Sequence, residues 1–125
     1  MHRKDNIVSR YKKKHVGKIA YCDNIDLGIG TSGGHYVYIR KVNDQKCDVN
    51  VITSLEDHKG RFNYSKIVHV RKGNTYPIPK RDANFTLWSG VTKTPIKNIP
   101  ISKLKHIGKK SIKRRHHFYI GKYAK

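Results

Sequence analysis

The side chains of this sequence best suited to chemistry are His35 and the hydroxyl pair Thr53-Ser54. His35 leaves the glycine-rich stretch Asp26 to Gly34, where a neutral imidazole could take a proton from a substrate held against a permissive loop. Taken alone, it fits equally a surface histidine in front of a strand. Thr53 and Ser54 close an apolar run, where hydroxyls can reach a phosphate oxygen or serve as turn caps. Arg40 shares a strand face with Tyr36 and Tyr38, because side chains alternate with period two. That face puts stacking rings beside a guanidinium, which suits unstacked bases and also an ordinary solvated surface. His69, flanked by Val68 and Val70, is a second acid or base, or a partly exposed structural histidine. Metal-free cleavage of RNA needs a base for the 2′-hydroxyl, an acid for the leaving 5′-oxygen and a cation on the phosphate.

The charge names the class of partner. In 125 residues, 28 Lys and Arg face 8 Asp and Glu, a net charge of +20. Phosphate backbones and anionic membranes are the common polyanions that reward such a surface. No apolar run approaches the ~18–20 residues of a transmembrane helix. The basic segments lack the Leu, Phe and Trp face of an interfacial helix, and no apolar h-region follows the basic N-terminus. The expectation is a cytoplasmic protein whose partner is a nucleic acid, RNA before DNA, and not a membrane.

That charge culminates at the C-terminus, since eleven Lys and Arg follow Asp82 and no acidic residue does. Lys109, Lys110, Lys113, Arg114, Arg115, His116 and His117 run into Phe118, Tyr119 and Tyr123. Solvated faces normally mix signs; cations interleaved with rings, as here, mark a surface that tracks a nucleic-acid backbone. Cys22 and Cys47 are too few to staple a secreted domain, and no CxxC or HxxxH spacing occurs. They are expected to be free thiols, with no metal and no cofactor.

The elements that must hold these residues are strands, because β-branched and aromatic runs alternate with turn formers. Val16 to Cys22, His35 to Val42, Cys47 to Ser54 and Lys66 to Val70 read as strands, the middle two forming a hairpin across Asn43-Asp44-Gln45-Lys46. Thr75 to Pro79 and Ile96 to Ile101 read as extended, and Ser102 to Gly108 as a turn or two of helix. Trp88 falls in a Pro- and Gly-flanked loop, as a stacking platform, a dimer contact or a plug for one end of a barrel. The fold class is mostly β: a small barrel or rolled antiparallel sheet over residues 16–108, with a short helix, a basic N-terminal arm (1–15) and a basic aromatic tail (109–125).

A family resemblance enters at the first three strands. Gly17-Lys18-Ile19-Ala20-Tyr21, the glycine-rich loop, Gly34-His35-Tyr36-Val37-Tyr38-Ile39 and Asp48-Val49-Asn50-Val51-Ile52-Thr53-Ser54 occur in the order seen in MazF/PemK/Kid-like toxins and the related ToxN-type endoribonucleases. The resemblance spans residues 16–54, with a looser echo from Gly73 to Gly108. It implies an SH3-like barrel, usually a homodimer, that cuts single-stranded RNA without metal and is held by an acidic or RNA antitoxin. The hydroxyl role in catalysis maps to Thr53 and Ser54. The family's arginine maps to Tyr36 and the following proline to Val37, so the usual cation on the phosphorane is missing. His35, Arg40 or a basic residue of the tail would have to replace it, or activity has been lost. The alternative is a non-catalytic nucleic-acid-binding module of a mobile genetic element, since small β-barrels serve both ends.

Overall fold

The computed structural model describes residues 15–123, with side chains described through Ile120. The N-terminal arm therefore lies outside the described residues apart from His15. The chain is mostly β. Six antiparallel strands, β1 (Ile19–Asp23), β2 (Gly34–Asn43), β3 (Lys46–Ser54), β4 (Thr75–Ile78), β5 (Ser89–Thr92) and β6 (Ile96–Pro100), form one sheet. Its order is β1-β2-β3-β5-β4, with β6 also paired to β3, so the sheet is open between β1 and β4. Among the described residues no helix is long and apolar enough to cross a membrane.

The expected hairpin forms. Asn43 pairs with Lys46 across a two-residue turn whose first residue, Asp44, takes a positive φ of 59°. The central strand β3 then changes partner along its outer edge, from β6 at Lys46 to Val49 to β5 at Ile52 to Ser54. Asn50 sits at that change, fully buried, and donates to the Thr92 and Lys93 carbonyls at 3.0 and 3.3 Å. It supplies hydrogen bonds where neither strand partner reaches the gap.

Period-two alternation sends side chains to both faces, and both faces are covered. Ala20, Cys22, Val37, Ile39, Val49 and Val51 pack on one face with Leu27, Ile99 and Leu104. Ile19, Tyr38, Ile52, Ile78 and Val91 pack on the other with Ile112 and Ile120. The C-terminal segment, expected as a tail, is thus part of the second core. Ile112 is 6 % exposed and Ile120 is 1 % exposed, each worth roughly 1.5–3 kcal/mol of burial.

Among the described residues three α-helices flank the sheet: α1 (Asn24–Leu27), α2 (Tyr64–Arg71) and α3 (Arg115–Tyr123). The expected strand over Lys66 to Val70 is α2 instead. Asn63 caps it by accepting from the Ser65 N–H at 3.1 Å. The other end closes as a Schellman motif, Asn74 N–H to His69 C=O and Gly73 N–H to Val70 C=O, with Gly73 at φ +75°. These local signals outweighed the valines, and β5 already holds the β3 edge that a strand there would need. The residues read as a loop around Trp88 supply that strand, Ser89–Thr92. Trp88 is half-buried against Phe62, ring centroids 5.8 Å apart, and does not plug the sheet.

Candidate active site: a histidine and lysine cleft

One cleft, about 440 Å³, gathers His35 from the start of β2, Thr53 from the end of β3, Lys66 and His69 from α2, and Lys93 after β5. The sheet brings the first two together. The β2–β3 register pairs Tyr36 with Ile52, so one step further His35 stands opposite Thr53 on the same face. The close approach of β1 to β2 depends on Gly34. A Cβ there would stand 2.6 Å from the Cys22 carbonyl oxygen and 2.7 Å from the Tyr21 ring. Helix α2 places Lys66 and His69 three residues apart, hence on one helix face.

His35 is held by a residue that sequence reasoning passed over. Asn24, only 2 % exposed, donates from Nδ2 to Thr31 Oγ1 and to the Ser32 carbonyl, both at 3.1 Å. Its Oδ1 lies 2.7 Å from His35 Nδ1. An amide oxygen only accepts, so Nδ1 carries the proton and the neutral ring keeps its lone pair on Nε2. Burial first, and the Lys66 ammonium second, push the His35 pKa below its ordinary value of 6.5. The result is an oriented, neutral imidazole at physiological pH, the state a general base needs.

Lys66 is the cation beside it. Its Nζ donates to Thr53 Oγ1 and to the Ser54 carbonyl, each at 2.8 Å, and no carboxylate pairs with it among the described residues. An unneutralised ammonium is therefore bonded to Thr53 within this cleft.

Arg40 does not join this group. It lies five residues beyond His35 in β2, roughly 17 Å along an extended strand, beside the register shift between Ile39 and Lys41. Ser54 also misses the cleft and lines a neighbouring cavity of about 220 Å³ with Tyr36, Phe85 and Lys110; Thr53 borders both. Tyr38 is not a stacking ring on an open surface. It is 6 % exposed, packs in the second core and hydrogen bonds His117 Nδ1 at 3.0 Å. The period-two reading was right for the backbone, but helix α3 covers the face that Tyr38 shares.

The basic C-terminal segment divides by its partners. Asp82, its side chain 2 % exposed, takes Arg115 Nη2 at 2.6 Å, His116 Nε2 at 2.8 Å and Lys113 Nζ at 3.4 Å. His116, expected at the nucleic-acid surface, is 8 % exposed, and its Nδ1 meets Tyr76 Oη at 2.8 Å; it is a fold residue. His117 is likewise turned inward, onto Tyr38 and the Ile112 carbonyl. Tyr119 is half exposed and stacked on Tyr76, 6.0 Å between centroids at 10°. Lys109 and Arg114 remain exposed, with no carboxylate partner among the described residues.

Cys22 and Cys47 are buried and unpaired. Among the described residues no three His, Cys, Asp or Glu side chains cluster as metal ligands. No protein-family model matches this chain, and no curated protein matches it in sequence.

Proposed function

We propose that this protein is a metal-independent endoribonuclease that cuts single-stranded RNA in the cytoplasm, as a toxin restrained by an acidic or RNA partner. The observation that carries the proposal is the convergence of His35, Lys66, His69 and Thr53 on one cleft, from segments far apart in the sequence. In this reading His35 Nε2 takes the proton of the ribose 2′-hydroxyl as that oxygen attacks the adjacent phosphorus. The bond from phosphorus to the 5′-oxygen breaks, and His69 acts as the general acid that supplies the proton the departing oxygen needs. The products are a 2′,3′-cyclic phosphate and a 5′-hydroxyl. Lys66 and Thr53 hold the charge that builds on the phosphoryl oxygens, a contribution of order 10²–10³ in rate for one well-placed donor.

Because the 2′-hydroxyl is the nucleophile, an RNA strand is expected to be cut and the same sequence as DNA to survive. Cleavage of both strands to similar extents would overturn the proposal.

The exposed Lys109 and Arg114 favour a second reading, a non-catalytic nucleic-acid-binding module of a mobile element. It predicts affinity that falls steeply with salt, depends on those two residues, and tolerates change at His35 and His69.

A further inference from the structure

Resting on the ribonuclease reading, we propose that the cavity sharing Thr53 with the histidine cleft is a nucleobase subsite. It takes one base beside the scissile phosphate and selects a keto base, uracil over cytosine. The cavity is about 220 Å³, below the ~300–1,000 Å³ of sites that enclose a drug-sized ligand. It suits one flat ring rather than a whole nucleotide. Its walls are Tyr36 and Phe85, ring centroids 5.4 Å apart at 65°, with Ile52 and Leu87. Aromatic and apolar walls receive a base drawn out of a single strand.

Selectivity comes from Lys110. Its Nζ stands over both rings, 5.9 Å from the Tyr36 centroid and 5.9 Å from the Phe85 centroid, so a base entering the cavity meets this ammonium. One N–H goes to the Asn84 carbonyl at 2.8 Å, and no carboxylate pairs with this ammonium among the described residues. An ammonium has donors and no acceptor. A carbonyl on the base edge accepts from it, whereas an exocyclic amino group sets donor against donor. Uracil and cytosine differ by that exchange. A phosphate would need more donors than this single cation and would gain nothing from the two rings.

Thr53 supplies the linkage between base and chemistry. Thr53 borders both cavities, which lie on opposite faces of β3 at the end of that strand, and its Oγ1 accepts from Lys66, so a nucleotide that wraps the strand end places its base in one cavity and its phosphate at the other.

The test uses the full chain in excess EDTA. Affinities of short fluorescent oligo-uridine and oligo-cytidine RNAs are measured on the His35→Ala protein, and cleavage of both is followed on the wild type. Oligo-uridine is expected to bind about 10- to 100-fold more tightly, the range for a hydrogen bond to a charged group. Adding Lys110→Met should collapse that ratio, and Lys110→Arg should restore most of it. Phe85→Leu should weaken both RNAs. Equal affinities, or a ratio unmoved by Lys110→Met, would overturn the subsite even if wild-type protein cleaves both RNAs and the ribonuclease reading stands. Selective binding lost in Lys110→Met, with no cleavage by the wild type, would keep the base pocket and remove the ribonuclease reading.

Discussion

Asn24 Oδ1 lies 2.7 Å from His35 Nδ1, and this one contact fixes which nitrogen of the imidazole is free to act as a base. The amide is held in turn by its donations to Thr31 and Ser32, so the glycine-rich loop orients the histidine through Asn24. Replacing the neutral acceptor by a carboxylate tests this. In Asn24→Asp a negative charge favours the imidazolium and raises the His35 pKa. Since the base must be neutral, the acid limb of kcat/KM moves to higher pH, from a midpoint below 6.5 in the wild type. A merely structural role for Asn24 would lower the amplitude and leave the midpoint in place.

His69 is assigned the proton that the leaving oxygen receives. His69→Ala is expected to slow cleavage of RNA by about 10²–10⁴-fold. A uridine 3′-phosphodiester with a nitrophenolate leaving group needs no such proton, so the variant should cleave it at near the wild-type rate. An equal loss on both substrates would remove His69 from the acid role.

Asp82 ties the start of α3 to the turn that follows β4. The Arg115 hydrogen bond first, and that of His116 second, hold its carboxyl well below the ordinary value of 3.8. A carboxyl depressed in the folded state stabilises the fold above its unfolded pKa and ceases to do so as pH falls through the folded one. Asp82→Asn should therefore melt below the wild type at pH 7. The gap should narrow as pH falls below about 3.8. A gap constant from pH 7 to strong acid would show that the carboxylate charge is not what holds the helix.

Cys22 and Cys47 are 0 % and 1 % exposed, and burial pushes both thiols up to about 11. Iodoacetamide at pH 8 should leave the native protein unmodified and alkylate both thiols in denaturant. Rapid alkylation of either thiol in the native state would mean that the first core opens readily.

The hairpin of β2 and β3 was legible because its alternation and turn chemistry agree; the placement of His35 opposite Thr53 was not, because the register shift between Ile39 and Lys41 moves the pairing by one residue. Helix α2 was not legible from its valines, which fit a strand as well as a helix. Its signal lay in Asn63 ahead of Ser65 and in Gly73 behind, a cap and a Schellman glycine. Read as a helix, the segment would have put Lys66 and His69 on one face. The C-terminal segment misled for a related reason. Composition marks it as basic, but Ile112 and Ile120 carry it into the core, and Asp82 neutralises part of what remains. The link from Asn24 to His35 is tertiary and has no periodic signal in the sequence.

The most direct test of the central claim is incubation of the purified protein with end-labelled single-stranded RNA in excess EDTA, beside His35→Ala. Cleavage to 2′,3′-cyclic phosphate ends is expected from the wild type, with a loss of at least about a hundredfold in the variant. Intact RNA with the wild type, or equal cleavage by both proteins, would contradict that claim.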